Sequence, residues 1–112
     1  MENIKFSEWQ KLDLRVGKII NIEDIEGTDN LYKIEVDLGK ELGKRIICAG
    51  IKKYYKKEEL KNKKIILFTN LEPKIIRGIK SEGMLLAVVE EENNKVVLII
   101  PEKDIELGSR VS

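Results

Sequence analysis

The sequence predicts a small, mostly β protein: a five-stranded Greek-key barrel with a short helix between its third and fourth strands. Three observations carry this. Apolar residues recur with period two through most of the 112 residues, as half-buried strands require. Gly, Asn and Asp clusters separate these runs at turn spacing. Only one stretch, Tyr54 to Leu60, is plausible as a helix. A chain of this length forms one core, so residues 1–112 are read as one domain. The barrel takes up about 12–90, and a C-terminal hairpin and tail take up 91–112.

Taken in order, Phe6 and Trp9 stand just before the first strand and are expected to act as a lid over the barrel's end. Leu12, Leu14 and Val16 alternate with Asp13 and Arg15, then Gly17-Lys18 shifts the phase before Ile20 and Ile22. A Gly at such a slip suggests a bulge or bend in a coiled strand shared by both halves of a barrel. Tyr32, Ile34, Val36 and Leu38 alternate with Lys33, Glu35 and Asp37, placing Tyr32 on the core face of strand two. Residues 39–43 read as a turn and Ile46 to Ala49 as strand three, with Cys48 as a buried small hydrophobe. After the helix, Lys64 to Thr69 is strand four. Asn70 to Gly83 is a polar connection too long for a hairpin turn. Met84 to Val89 is strand five, and Glu92-Asn93-Asn94 turns the chain into Val96 to Ile100. Pro101 ends regular structure, while Ile105, Leu107 and Val111 supply a tail that can still pack.

Three antiparallel strands, a helix, then two more strands is the oligonucleotide-binding (OB) arrangement. The apolar residues of strand five, the extra strand and the tail exceed what so small a barrel can bury. A C-terminal strand and tail used for dimerisation would cover them, so a homodimer is expected.

Composition narrows the chemistry. The chain has no histidine, which removes the usual general base near neutral pH and the usual zinc ligand. Its single cysteine cannot form an internal disulfide, which fits a reducing compartment. Glu90-Glu91-Glu92 is read as a solvated hairpin rather than a cation site, because successive strand carboxylates point to opposite faces. No catalytic constellation, metal site or cofactor is expected. No apolar run approaches membrane-spanning length and the start lacks a signal peptide's apolar core, so a cytoplasmic protein with no membrane partner is expected.

Charge is more informative. The net charge is +1, yet residues 40–80 hold 13 Lys or Arg against 4 Glu, a net +9, while each flank is −4. Such segregation creates a directional field. A face for a polyanion is favoured over a merely solvated Lys-rich face, provided the cations converge on one side. Within the segment, Lys74, Arg77 and Lys80 recur at spacings of three on the polar connection, and if it is extended they can track phosphates. Asn70 and Ser81 can reach sugars or base edges. Arg77 is the strongest single candidate, because its planar fork pairs phosphate bidentately. A solvated basic loop would show the same residues. Lys52, Lys53 and Tyr54, with Tyr55, Lys56 and Lys57, mix aromatics with cations as single-strand binders do. One of the two tyrosines serves as well as an anchor between helix and barrel.

These residues resemble a known family. Asp13-Leu14-Arg15-Val16-Gly17-Lys18-Ile19, Leu31-Tyr32 with Val36-Asp37-Leu38-Gly39, and Arg45 before Ala49-Gly50-Ile51 are similar to the tRNA-binding domain appended to methionyl-tRNA synthetases. Asn70-Leu71, Pro73-Lys74, Arg77-Gly78 and Ser81-Glu82-Gly83-Met84 resemble its most specific signature. Free-standing tRNA-binding proteins and the endothelial-monocyte-activating polypeptide precursor share it. The resemblance implies an OB fold that binds tRNA by shape, independent of amino-acid identity, and does no chemistry itself. It implies homodimers for free-standing members and a methionyl-tRNA synthetase as a partner. It adds Glu82 and Met84 to the RNA-binding set of Asn70, Lys74, Arg77, Lys80 and Ser81, and Arg45, a cation of the same basic segment, is counted as an RNA-binding candidate with them. The sequence departs from the family at Asn30, Glu72 and Ile75, where cations are common. Each lost phosphate contact lowers the salt slope by about one unit. Residues 101–109 also resemble a related export-associated chaperone that binds unfolded polypeptide, the alternative reading.

Overall fold

A computed structural model describes all 112 residues. After a four-residue helix α1 (Phe6–Trp9), the strands are β1 (Leu14–Asp24), β2 (Tyr32–Asp37) and β3 (Lys44–Ala49). Helix α2 (Lys57–Leu60) then precedes β4 (Lys64–Phe68). Five short strands follow: β5 (Lys74–Ile76), β6 (Ile79–Ser81), β7 (Met84–Leu85), β8 (Ala87–Glu90) and β9 (Lys95–Leu98). The main antiparallel sheet runs β3-β2-β1-β4-β7. Its open seam is bridged by two bonds to β3: the Glu82 amide donates to the Ile46 carbonyl at 2.9 Å, and the Cys48 amide donates to Ser81 Oγ at 2.9 Å. The expected nearly closed five-stranded OB barrel is therefore the fold.

β1 is the shared strand. Residues 14–18 pair with β4 and residues 18–24 pair with β2. The register slips between Ile19 and Asn21, leaving Ile20 as the extra residue, so the bulge lies beyond Gly17 and puts Ile19 rather than Ile20 in the core. Gly17 has a different duty. A methyl group there would come within 2.5 Å of Val36 Cγ1, so two strands approach where only glycine fits. The edge of β1 that β2 leaves free is occupied by the tail: Val16 donates to Ser109 O, Gly108 to Val16 O and Val111 to Leu14 O, at 2.8–2.9 Å.

The core is aliphatic. Ile19, Ile34, Val36, Leu38, Ile47, Leu60, Ile65 and Leu67 are fully buried. Leu60 anchors α2 in the main core cluster, where it is fully buried, and the Glu59 carboxylate caps the helix by accepting from the Lys56 amide at 2.8 Å. A second cluster of Leu14, Val16 and Ile66 is covered by Trp9, Leu107 and Val111. Trp9 thus lids this flank, whereas Phe6 stays exposed on α1, a helix the alternation did not reveal. Tyr32 is buried as expected and donates to the Tyr55 carbonyl at 2.7 Å. Cys48 is only half-buried on the outer face opposite Lys33; burial raises its thiol pKa and Lys33 opposes this more weakly.

Two further expectations change. Strand five stops at Leu85; β8 leaves the barrel to pair with β9, and Leu86 makes the break by bonding Ile66 O and Ile99 N. The connection from Asn70 to Gly83 is itself a β-hairpin, β5 paired with β6. Arg77 and Gly78 form its tip with φ of 53° and 79°, both positive as a tight type I′ turn requires.

Candidate nucleic-acid interface

The β5–β6 hairpin organises the site. Its register pairs Lys74 with Ser81, Ile75 with Lys80 and Ile76 with Ile79. Directly opposed residues share a face, so Lys74 and Ser81 lie on one side while Ile75 and Lys80 lie on the other. Ser81 is buried against β3; Lys80 and Ile75 face outward and are exposed. Lys74, Arg77 and Lys80 make no ion pair within the chain, so all three charges are free for an external anion. The Arg77 side chain reaches the β1–β2 loop: a methyl built on Gly27 would lie 3.1 Å from Arg77 Nη1. Alternation along the sequence gave no sign of this contact.

The roots of the hairpin are fastened. Arg45, half-buried on β3, sends Nη1 to the carbonyls of Thr69 at 2.8 Å and Glu82 at 3.2 Å. Asn70 accepts from the Asp13 amide at 2.9 Å and donates to the Lys11 carbonyl at 2.6 Å. Thr69 Oγ1 donates to the Asp13 carbonyl and carboxylate, and Arg15 Nε donates to Asp13 Oδ1 at 2.9 Å. Burial alone would raise the Asp13 carboxyl, but the Thr69 and Arg15 hydrogen bonds, with the Arg15 and Arg110 charges, hold it below the usual range. Met84 is exposed where the chain re-enters the barrel.

The second cationic group is more committed than its composition suggests. Asp24 at the end of β1 holds Lys52 at 3.0 Å and Lys57 at 2.9 Å. Hydrogen bonds from Lys57 and then Lys52 lower the Asp24 carboxyl, and Asp24 raises the Lys57 ammonium in return. Lys52 Nζ also sits 5.9 Å from the Tyr32 ring centroid. Lys53 stands exposed beside them with no ion pair. Tyr54 donates to Asn94 at 3.1 Å, and Tyr55 is the anchor, its hydroxyl accepting from the Leu98 amide at 3.0 Å.

The charge of residues 40–80 therefore does not form one uniform patch. Lys44 lies opposite Asp37 at the β2–β3 turn, and Lys64 binds Asp104 of the tail at 2.6 Å. Lys40, Lys53, Lys56 and Lys63, outside the hairpin, are unpaired as well, while on the hairpin itself Lys74 and Lys80 take opposite faces and Arg77 reaches Gly27 of the β1–β2 loop. An exposed two-stranded finger carrying three free cations on a rigid barrel suits an extended polyanion better than a small ligand.

Comparison with known proteins agrees with this geometry. Residues 14–110 match the family model described as a tRNA binding domain. The methionine–tRNA ligase of Pyrococcus horikoshii is 54% identical over 111 residues, which are 99% of this chain and 15% of that enzyme's length. The crystal structure of a MetRS related protein from Pyrococcus horikoshii superposes with a TM-score of 0.91 at 37% identity, both chains covered in full. The chaperone CsaA of Bacillus anthracis has a TM-score of 0.88 at 32% identity, covering 99% of this chain and all of that one.

Proposed function

The chain belongs to the tRNA-binding domain family, and on that premise we propose that it binds tRNA through its phosphate backbone, whatever amino acid the tRNA carries. The observation that carries this is the β5–β6 finger, with Lys74, Arg77 and Lys80 unpaired and the Arg77 guanidinium reaching Gly27 of the β1–β2 loop. Phosphate contacts position a nucleic acid without reading its bases, which makes the binding blind to tRNA identity. Lys53 and the exposed edge of Met84 extend the surface, and Lys52 joins it if phosphate displaces Asp24. The domain does no chemistry; acting in the cytoplasm, it raises the tRNA affinity of a methionine–tRNA ligase body, joined to it or bound by it. Two copies pair through the exposed apolar residues of β8, β9 and the tail. The test is a titration with unfractionated tRNA over a salt series. Tight association that weakens steeply with salt is expected, and no association at about 50 mM salt removes the reading.

The likeness to CsaA supports a second reading, in which exposed Val88, Val97 and Ile100 take up unfolded polypeptide. Apolar contacts are not screened by ions, so suppression of client aggregation that persists at high salt would favour it.

A further inference from the structure

The residues expected to touch RNA fall into two groups by what their polar atoms already do. Lys74, Arg77 and Lys80 have no ion pair in the chain. Arg45, Asn70 and Ser81 are occupied: Arg45 binds the two roots of the finger, Ser81 binds the strand the finger docks against, and Asn70 binds the backbone of residues 11–13 just before β1. Arg45 is the most telling. The carbonyls it binds, Thr69 and Glu82, stand immediately before and after the segment 70–81. One guanidinium nitrogen thus spans the entry and exit of the finger, at the seam where β3 and β7 share no ladder.

We propose that Arg45 is a positioning residue for the tRNA site. Its guanidinium staples the two roots of the β5–β6 finger and so fixes where Lys74, Arg77 and Lys80 stand, while its own charge neutralises no phosphate. Two carbonyl partners take up both Nη1 protons within the protein, and Nε and Nη2 make no bond in the chain, so the salt slope reads directly whether the rest of the fork meets phosphate. Asn70 does the same at the entry root, its amide oxygen and nitrogen both bound to the backbone of residues 11–13. This assignment rests on the tRNA reading above for its functional half, and on the free protein alone for its structural half.

The experiment uses the full chain with Arg45→Met, Arg45→Lys and Lys74→Ala. Amide exchange is measured in the free protein and affinity for unfractionated tRNA is measured across a salt series. A staple predicts that Arg45→Met speeds exchange in the 74–81 finger about tenfold, the worth of one net hydrogen bond, and spares the barrel amides. It predicts weaker tRNA binding with an unchanged salt slope, whereas Lys74→Ala lowers the slope by about one unit. Arg45→Lys keeps the charge but loses the planar fork, so it behaves like Arg45→Met. The proposal is overturned if Arg45→Met leaves finger exchange untouched, if it lowers the slope, or if Arg45→Lys restores full affinity without restoring protection. If the unaltered protein fails to bind tRNA, the proposed function falls, and the exchange result still decides whether the staple exists.

Discussion

Removing one finger cation at a time gives a quantitative check on the interface. Lys74, Arg77 and Lys80 make no internal ion pairs, so replacing any of them with alanine removes charge without disturbing a network. A cation that neutralises one phosphate contributes roughly 0.7–0.9 to the slope of log K against log salt. Between about 50 and 200 mM salt the logarithm of concentration changes by ~0.6, so one lost contact alters the affinity ratio by roughly threefold across that interval. Each single variant should therefore bind more weakly than the parent at low salt, with the deficit shrinking about threefold at the higher concentration. The triple variant should lose a slope of roughly 2–3. Fluorescence anisotropy with labelled tRNA measures this directly. Parallel salt plots for the parent and all three single variants would refute the assignment, since the contacts would then lie elsewhere.

Asp24→Asn releases Lys52 and Lys57 from their shared carboxylate, so tRNA affinity should rise a few-fold and its salt slope steepen by up to about two units. The folded-state pKa of Asp13 is depressed, so it contributes stability above its unfolded value that is lost as pH falls through the folded one. Asp13→Asn should cost about 1 kcal/mol at neutral pH and converge with the parent in acid, read by denaturant melts below about pH 4. Leu60→Ala, at a fully buried position, should cost about 2–5 kcal/mol by chemical unfolding. Val88 and Val97 oppose each other on β8 and β9 and are more than half exposed. A Val97→Glu variant should run as a monomer in sedimentation if that face joins two copies, and an unchanged sedimentation coefficient would place the contact elsewhere.

Period-two alternation sufficed for β2, whose burial is strictly regular, and for the order of strands around α2. It failed where one residue changes phase. At β1 the visible break was Gly17, but the extra residue is Ile20, and nothing in an Ile-Ile pair tells which one leaves the ladder. The finger was hidden because its strands are three residues each and its turn begins with arginine, which sequence signals do not associate with positive φ. Helix α1 left only the faint mark of Glu8 three residues beyond Lys5, whose amide it accepts at 3.0 Å. The cations themselves could be read directly, but not their partners. Asp24 lies 28 residues from Lys52 in the chain, and Asp104 lies 40 from Lys64. Such pairs are decided by the barrel's closure rather than by any local pattern.

The antiparallel run of residues 108–111 along the first half of β1 brings the chain's entry and departure together. Arg110 donates to the carbonyls of Gln10 and Leu12, and Val111 to that of Leu14. A short linker joining these neighbouring segments would not need to cross the barrel. A circular permutant opened at the exposed β8–β9 turn, residues 91–94, should keep the fold, since no sheet pairing crosses that point except the hairpin's own. The same adjacency lets the barrel be spliced into a larger polypeptide as a side branch, with the cationic finger undisturbed.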